Sequence, residues 1–185
     1  MDPHTLHLAA ELDRLAATRD DAWQITPDQG RFLYQLALAS GGRLVEVGTS
    51  YGFSGLYLGA AAKVLGGHLH TIDVNPDKVE AARRVFRAAG LQDHITCHLG
   101  SALDVLPTLP GPHDLVFIDA DKAPTQQYVD LAWARLRVGG SVVNDNTHTH
   151  PEALGAFVAG VRARDDASSA DVPLGNGMEW TVRVR

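Results

Sequence analysis

The chain has 185 residues, 45% of them hydrophobic and 21% charged, enough for one well-buried core and too few for two ordinary domains. Its formal net charge is −6 and it contains no Lys/Arg run, which argues against nucleic acid or an anionic membrane as the main partner. No apolar run approaches the ~20 residues that span a bilayer, and a single cysteine, Cys97, leaves no internal disulfide.

The opening, "MDPHTLHLAAELDRLAATRD", has neither a basic start nor the apolar centre of a signal peptide, so a cytoplasmic, reduced protein is expected. Within it Leu8, Leu12 and Leu15 recur at helical spacing. Next, "TPDQGRFLYQLALAS" offers Thr26 as N-cap, Pro27 as the first helical residue and Gly41 beyond the end. From Arg43 onward, short apolar runs alternate with amphipathic stretches: "RLVEVG", "HLHTIDV", "HITCHLG", "HDLVFIDA" and "SVVNDN" are each followed by a helical pattern. This rhythm predicts a doubly wound α/β fold with a mostly parallel sheet and helices on both faces. Cys97, inside the third run, reads as a small buried hydrophobe. The last segment, "DVPLGNGMEWTVRVR", breaks the rhythm: "GNG" separates two strand-like runs, and Met178, Trp180, Val182 and Val184 alternate on one face. A closing antiparallel hairpin completes a seven-stranded Rossmann-like sheet. Residues 1–185 are expected to form one domain, with the helices of 1–41 part of it.

In a doubly wound sheet, ligands sit where the strand order reverses, beyond the carboxyl ends of the strands. After the first strand, Gly48, Gly52 and Gly55 permit a tight turn and close approach of backbone N–H groups to a ligand. The spacing is not G-x-G-x-x-G, and Glu46 in the strand before it would repel a dinucleotide's pyrophosphate. Roughly 20 residues on, Asp73 stands where a carboxylate accepts from both ribose hydroxyls. Taken singly, Glu46 reads as a capping carboxylate and Asp73 as a turn residue before "NPDK". Together with the loop they fit an adenosine bearing a cationic tail, S-adenosylmethionine.

The fourth and fifth strands should lie side by side, about 5 Å apart. Asp119 in "FIDADK" then meets Asp145 and Asn146 in "VVNDNT". Two carboxylates and an amide carbonyl are hard oxygen donors, suited to Mg²⁺, Ca²⁺ or Mn²⁺ rather than zinc. Lys122, three residues after Asp119, would lose some of its preference for the charged form beside a cation and so act as a general base.

The segments "EVGTSYGFSG", "TIDVNP", "GSALDVLP", "FIDADK", "NDNT" and "LGNGMEWTVRV" resemble, in order and approximate spacing, the cation-dependent O-methyltransferases of the caffeoyl-CoA and catechol type. The resemblance runs from about Ile25 to the C-terminus. It implies that Glu46, Gly48 and Ser54 contact the methionine part of the cofactor, Asp73 the ribose and Ala102 the adenine. It further implies that Asp119, also a cofactor neighbour, binds the metal with Asp145 and Asn146, that Lys122 is the catalytic base, and that the protein is a homodimer. The expected substrate is a small hydroxylated molecule such as a catechol. This chain departs from the pattern at Thr125, where a tyrosine commonly follows "DK", and at Trp23 and Gln24, where a methionine is common.

Three other readings compete. Methylation of a tRNA hydroxyuridine is opposed by the acidic charge; a nicotinamide-dependent oxidoreductase is opposed by Glu46 and the glycine spacing; a non-catalytic nucleotide-binding module would bind cofactor without turnover. For His148 and His150 in "THTH", a contact on the substrate side is favoured over metal ligation, because they follow the turn on an exposed connection.

Overall fold

A computed structural model describes all 185 residues. Two helices lead, α1 (Pro3–Ala16) and α2 (Pro27–Ser40). The α2 start matches the sequence reading and adds to it: Thr26 Oγ1 accepts from the Gln29 N–H, while the Gln29 amide oxygen accepts from the Thr26 N–H. Two donors that a helix start leaves unpaired are thereby satisfied. On α1 the buried positions are Thr5 and Ala9, with Leu8 and Leu12 half-buried and Leu15 57% exposed, so the leucine stripe only partly coincides with the packed face.

Alternation follows: β1 (Arg43–Val47), α3 (Phe53–Leu65), β2 (His68–Asp73), α4 (Pro76–Ala88), β3 (Ile95–Leu99), the short α5 (Ala102–Val105), β4 (His113–Ile118), α6 (Thr125–Trp133), β5 (Leu136–Asp145) and α7 (Pro151–Arg162). Then β6 (Ala167–Val172) and β7 (Met178–Arg183) close the chain. The seven-stranded sheet has the order β3-β2-β1-β4-β5-β7-β6, parallel except where β7 pairs antiparallel with β5 and β6. Strand order reverses between β1 and β4, which leaves a crevice beyond their carboxyl ends.

Side-chain alternation along the strands divides the core between the two faces. Leu44, Leu115 and Phe117 pack with α2 and α3 residues such as Leu33 and Leu56, whereas Val45, Val47, Val116 and Ile118 pack with Val129, Trp133 and Leu154 of α6 and α7. Because β4 is covered on both sides, it reads as an unbroken apolar run after Asp114. No helix is long and apolar enough to cross a membrane.

Two elements differ from the sequence reading. β5 begins at Leu136, before "SVVNDN": Leu136 pairs with His113 and Ser141 with Leu115, and the extra residues bulge through Gly139 at φ +76°. At the C-terminus, β7 lies inside the sheet and β6 forms its edge. β7 therefore has a strand on both edges, and Glu179 and Thr181 are better buried than Trp180 or Val182. Arg162 on α7 reaches Glu179 with two hydrogen bonds, which makes burial of that carboxylate tolerable. Cys97 is half-buried in β3, and burial pushes its thiol up to about 11, in keeping with an inert side chain.

The edge strand β3 and its neighbour β2 carry a histidine ladder, with His70 Nδ1 3.0 Å from His98 Nε2 and the rings of His68 and His70 5.0 Å apart. Burial, reinforced by the neighbouring His68, pushes His70 from its ordinary 6.5 down to about 4, and burial lowers His68 and His98 as well. Between those two pH values the unfolded chain binds more protons than the folded one, so stability is lost as pH falls through that window. Urea unfolding at steps from pH 7 to pH 4 should show this loss, and His70→Asn should lessen it. Identical profiles for the two proteins would refute the assignment.

Candidate functional site

Beyond the carboxyl ends of the central strands lies a cleft of about 890 Å³. Gly48, Asp73 and Ala102 line one part, and Asp119, Lys122 and Asn146 another. Each stands at or just after a strand end or at the start of the following helix, so adjacent parallel strands deliver them to one volume.

The loop after β1 depends on left-handed backbone: Gly48 has φ +104°, Ser50 +45° and Gly52 +91°. A Cβ on Gly48 would lie 1.9 Å from the Asp119 carbonyl oxygen, so only glycine lets the two strand exits pass this closely. Asp73 is held at both oxygens, Oδ2 accepting from the Ser50 N–H at 2.8 Å and Oδ1 from the Asn75 N–H at 2.9 Å. Each carboxylate oxygen keeps acceptor capacity for a further donor. The turn role and a ligand role at Asp73 are therefore compatible.

Glu46 and Ser54 are buried and do not line the cleft. Thr71 Oγ1 donates to Glu46 Oε2 at 2.6 Å, while Oε1 has no partner. Burial pushes the Glu46 carboxyl up to about 7 against the opposing hydrogen bonds from Ser54 and Thr71.

On the other side, Lys122 Nζ donates to the Ala120 carbonyl at 2.8 Å and to Asp119 Oδ1 at 3.3 Å. Asn146 takes φ +70°, rare outside glycine, where the chain leaves β5. Asp145 is 1% exposed and is absent from the cleft lining. Its Oδ1 accepts from Gln29 Nε2 at 2.5 Å, and its Oδ2 has no partner. Burial, reinforced by the charge on Asp119, pushes Asp145 up to about 7. Burial raises Asp119 too, opposed by Lys122.

This donor set fits a hard divalent cation: the donors are all oxygen, and a buried, unpaired carboxylate oxygen is an acceptor that a cation would satisfy. The other half fits a nucleoside, given the cleft's volume and Asp73 on its wall; the unpaired Glu46 oxygen is buried outside the cleft lining. His150, Trp23, Gln24 and Tyr128 also line the cleft, Trp23 at 81% exposure. His148 points elsewhere, to Asp171 Oδ1 at 2.7 Å. Thr125, at the departing position, is buried in the first turn of α6. Gln29 escaped the sequence reading: the T-x-x-Q spacing signals a capping box, but its reach to Asp145, 116 positions away, has no local signature.

A methyltransferase-domain family model matches residues 45–147, more than half of the chain. The chain belongs to this methyltransferase family. The matched stretch contains every residue singled out above for cofactor, cation and base, whereas Gln29, Trp23 and His150 lie outside it. Among curated relatives, this methyltransferase is 41% identical over 140 residues to a catechol O-methyltransferase of Mycobacterium tuberculosis, covering 75% of this chain and 60% of that one. It is 35% identical over 144 residues to a catechol O-methyltransferase of Niastella koreensis, covering 75% and 65%. The chain thus spans less than two thirds of the length of either relative. Among solved structures, the O-methyltransferase TomG of Streptomyces achromogenes, in complex with SAM, aligns at a TM-score of 0.86 and 28% identity, over 100% of this chain and 92% of that one.

Proposed function

We propose that this methyltransferase is an S-adenosylmethionine-dependent, divalent-cation-dependent O-methyltransferase acting on a hydroxyl of a catechol-like or other vicinal-oxygen small molecule. One observation carries the reading: Gly48, Asp73 and Ala102 share a cleft with Asp119, Lys122 and Asn146. The names of the two curated relatives and the SAM bound to TomG support it.

In this reading Asp73 accepts from the ribose hydroxyls, Gly48 gives its backbone to the methionine part, Glu46 and Ser54 support that end from below, and Ala102 lies by the adenine. Asp119, Asp145 and Asn146 hold the cation, which is Mg²⁺ or, with the same ligand types, Ca²⁺ or Mn²⁺. When bound, S-adenosylmethionine supplies the methyl group, and the cation supplies positive charge that acidifies the neighbouring hydroxyl. Lys122 Nζ, as the neutral amine once it has given its own extra proton to solvent and left the Ala120 carbonyl, takes the hydroxyl proton. Trp23 and Gln24 also line this cleft, and methyl transfer there is a step in which opposite charges cancel. Residues 1–185 act as one domain with α1 and α2 included, in keeping with their length, and the lone cysteine suits a cytoplasmic protein; that it is a homodimer is what the family resemblance implies.

Methyl transfer to catechol in Mg²⁺ should fall to background with EDTA and return when Mg²⁺ is restored. Thermal stabilisation by S-adenosylhomocysteine should persist in the chelator. Equal turnover with and without EDTA would remove the cation from the mechanism, and absent stabilisation would remove the cofactor assignment.

A further inference from the structure

We infer that Gln29 is a positioning residue for the cation site: its amide fixes the Asp145 carboxylate so that Oδ2 alone is presented to the metal. This rests on the cation-dependent reading above and assigns a role to a side chain outside the matched family stretch.

Gln29 stands in the first turn of α2 and is 0% exposed. The two ends of an amide are chemically different, one accepting and the other donating. Here the oxygen end is taken: Oε1 accepts from the Thr26 N–H at 2.9 Å and lies 3.1 Å from Thr26 Oγ1. The NH₂ end must therefore face Asp145, and it donates to Oδ1 at 2.5 Å. The NH₂ group engages Oδ1 and not the other oxygen, which is left free. That other oxygen, Oδ2, is the buried atom without a partner.

The amide is also held from behind. Gly175, in the turn joining β6 to β7, has φ +52°, and a Cβ there would lie 2.2 Å from Gln29 Oε1. The α2 cap, the closing hairpin turn and the end of β5 therefore converge on one side chain. If capping were its whole task, Oε1 alone would serve it and the donor end would need no buried carboxylate opposite.

Three proteins separate these roles: wild type, Gln29→Met and Thr26→Ala. Gln29→Met keeps a similar shape but removes the donor to Asp145. Thr26→Ala removes the hydroxyl of the cap yet keeps the backbone N–H that orients the amide. Mn²⁺ binding is titrated calorimetrically with S-adenosylhomocysteine present, alongside melting temperature. Losing an outer partner of a metal-binding carboxylate weakens metal binding ~10–100-fold, and Gln29→Met should fall in that range. Thr26→Ala should melt earlier but bind Mn²⁺ within about threefold of wild type, well short of the tenfold floor for a lost outer partner. Should Gln29→Met not fold, Gln29→Asn, one methylene too short to reach, carries the same comparison. Undiminished Mn²⁺ affinity in the Gln29 variant, or an equal loss in Thr26→Ala, overturns the positioning role while leaving the cation reading intact. Wild type that binds no Mn²⁺ overturns both.

Discussion

A Lys122→Arg variant should lose about 10²–10⁴-fold in kcat, the contribution of a positioned general base, while still being stabilised by S-adenosylhomocysteine. The reason lies in proton affinity rather than charge. Lys122 sits three residues beyond Asp119 on the cleft wall, with its ammonium against Asp119 Oδ1 and the Ala120 carbonyl. Arginine preserves the positive charge and the pairing with Asp119, but its guanidinium does not deprotonate in proteins and so cannot take a proton from the substrate. Lys122→Met, which loses both charge and base, should be at least as slow. If Lys122→Arg turned over near the wild-type rate, Lys122 would be an electrostatic neighbour of Asp119 and the base would have to be sought elsewhere.

Gly48→Ala should disable the protein by another route, destabilising it by about 3 kcal/mol, at the upper end of what overpacking costs, and weakening S-adenosylhomocysteine binding more than tenfold. Two penalties combine: φ +104° is strained for any L side chain, and the new methyl would meet the Asp119 carbonyl oxygen at 1.9 Å. The backbone cannot easily retreat. Gly48 donates to the Ile72 carbonyl at 2.9 Å, and the Asp119 N–H donates to the Val47 carbonyl at 2.9 Å. Gly66→Ala is the matched control, since Gly66 also has a positive φ, +62°, but nothing within 4 Å of its Cβ position. It should cost about 1 kcal/mol from backbone strain alone. Calorimetric titration and urea unfolding of the two variants would show the difference; wild-type ligand affinity in Gly48→Ala would mean that the close approach of the two strand exits does not shape the cleft.

Much of the fold was legible because its determinants are local. Thr26 and Pro27 start α2 through atoms within four residues of each other, and the apolar run after Asp114 betrays a strand buried on both faces. The β5 extension through Leu136 was hidden because a bulge at Gly139 is chosen by the neighbouring strand, not by the residues that form it. The place of β7 inside the sheet was hidden likewise: its buried polar face is satisfied by distant groups, Arg162 of α7 and Ser169 of β6, both hydrogen-bonded to Glu179.

From its residues alone, this chain determines the alternation of strands and helices, the glycine turn after β1 and the hard-oxygen chemistry of Asp119, Asp145 and Asn146. Those follow from period, backbone freedom and donor type, each carried within a few positions. Only the tertiary structure decided that Asp145 lies behind the cleft wall, that Glu46 is buried beneath the loop, and that an amide 116 positions from Asp145 holds its carboxylate. Burial and the pairing of distant polar groups depend on which surfaces meet after folding, and no local pattern encodes that meeting.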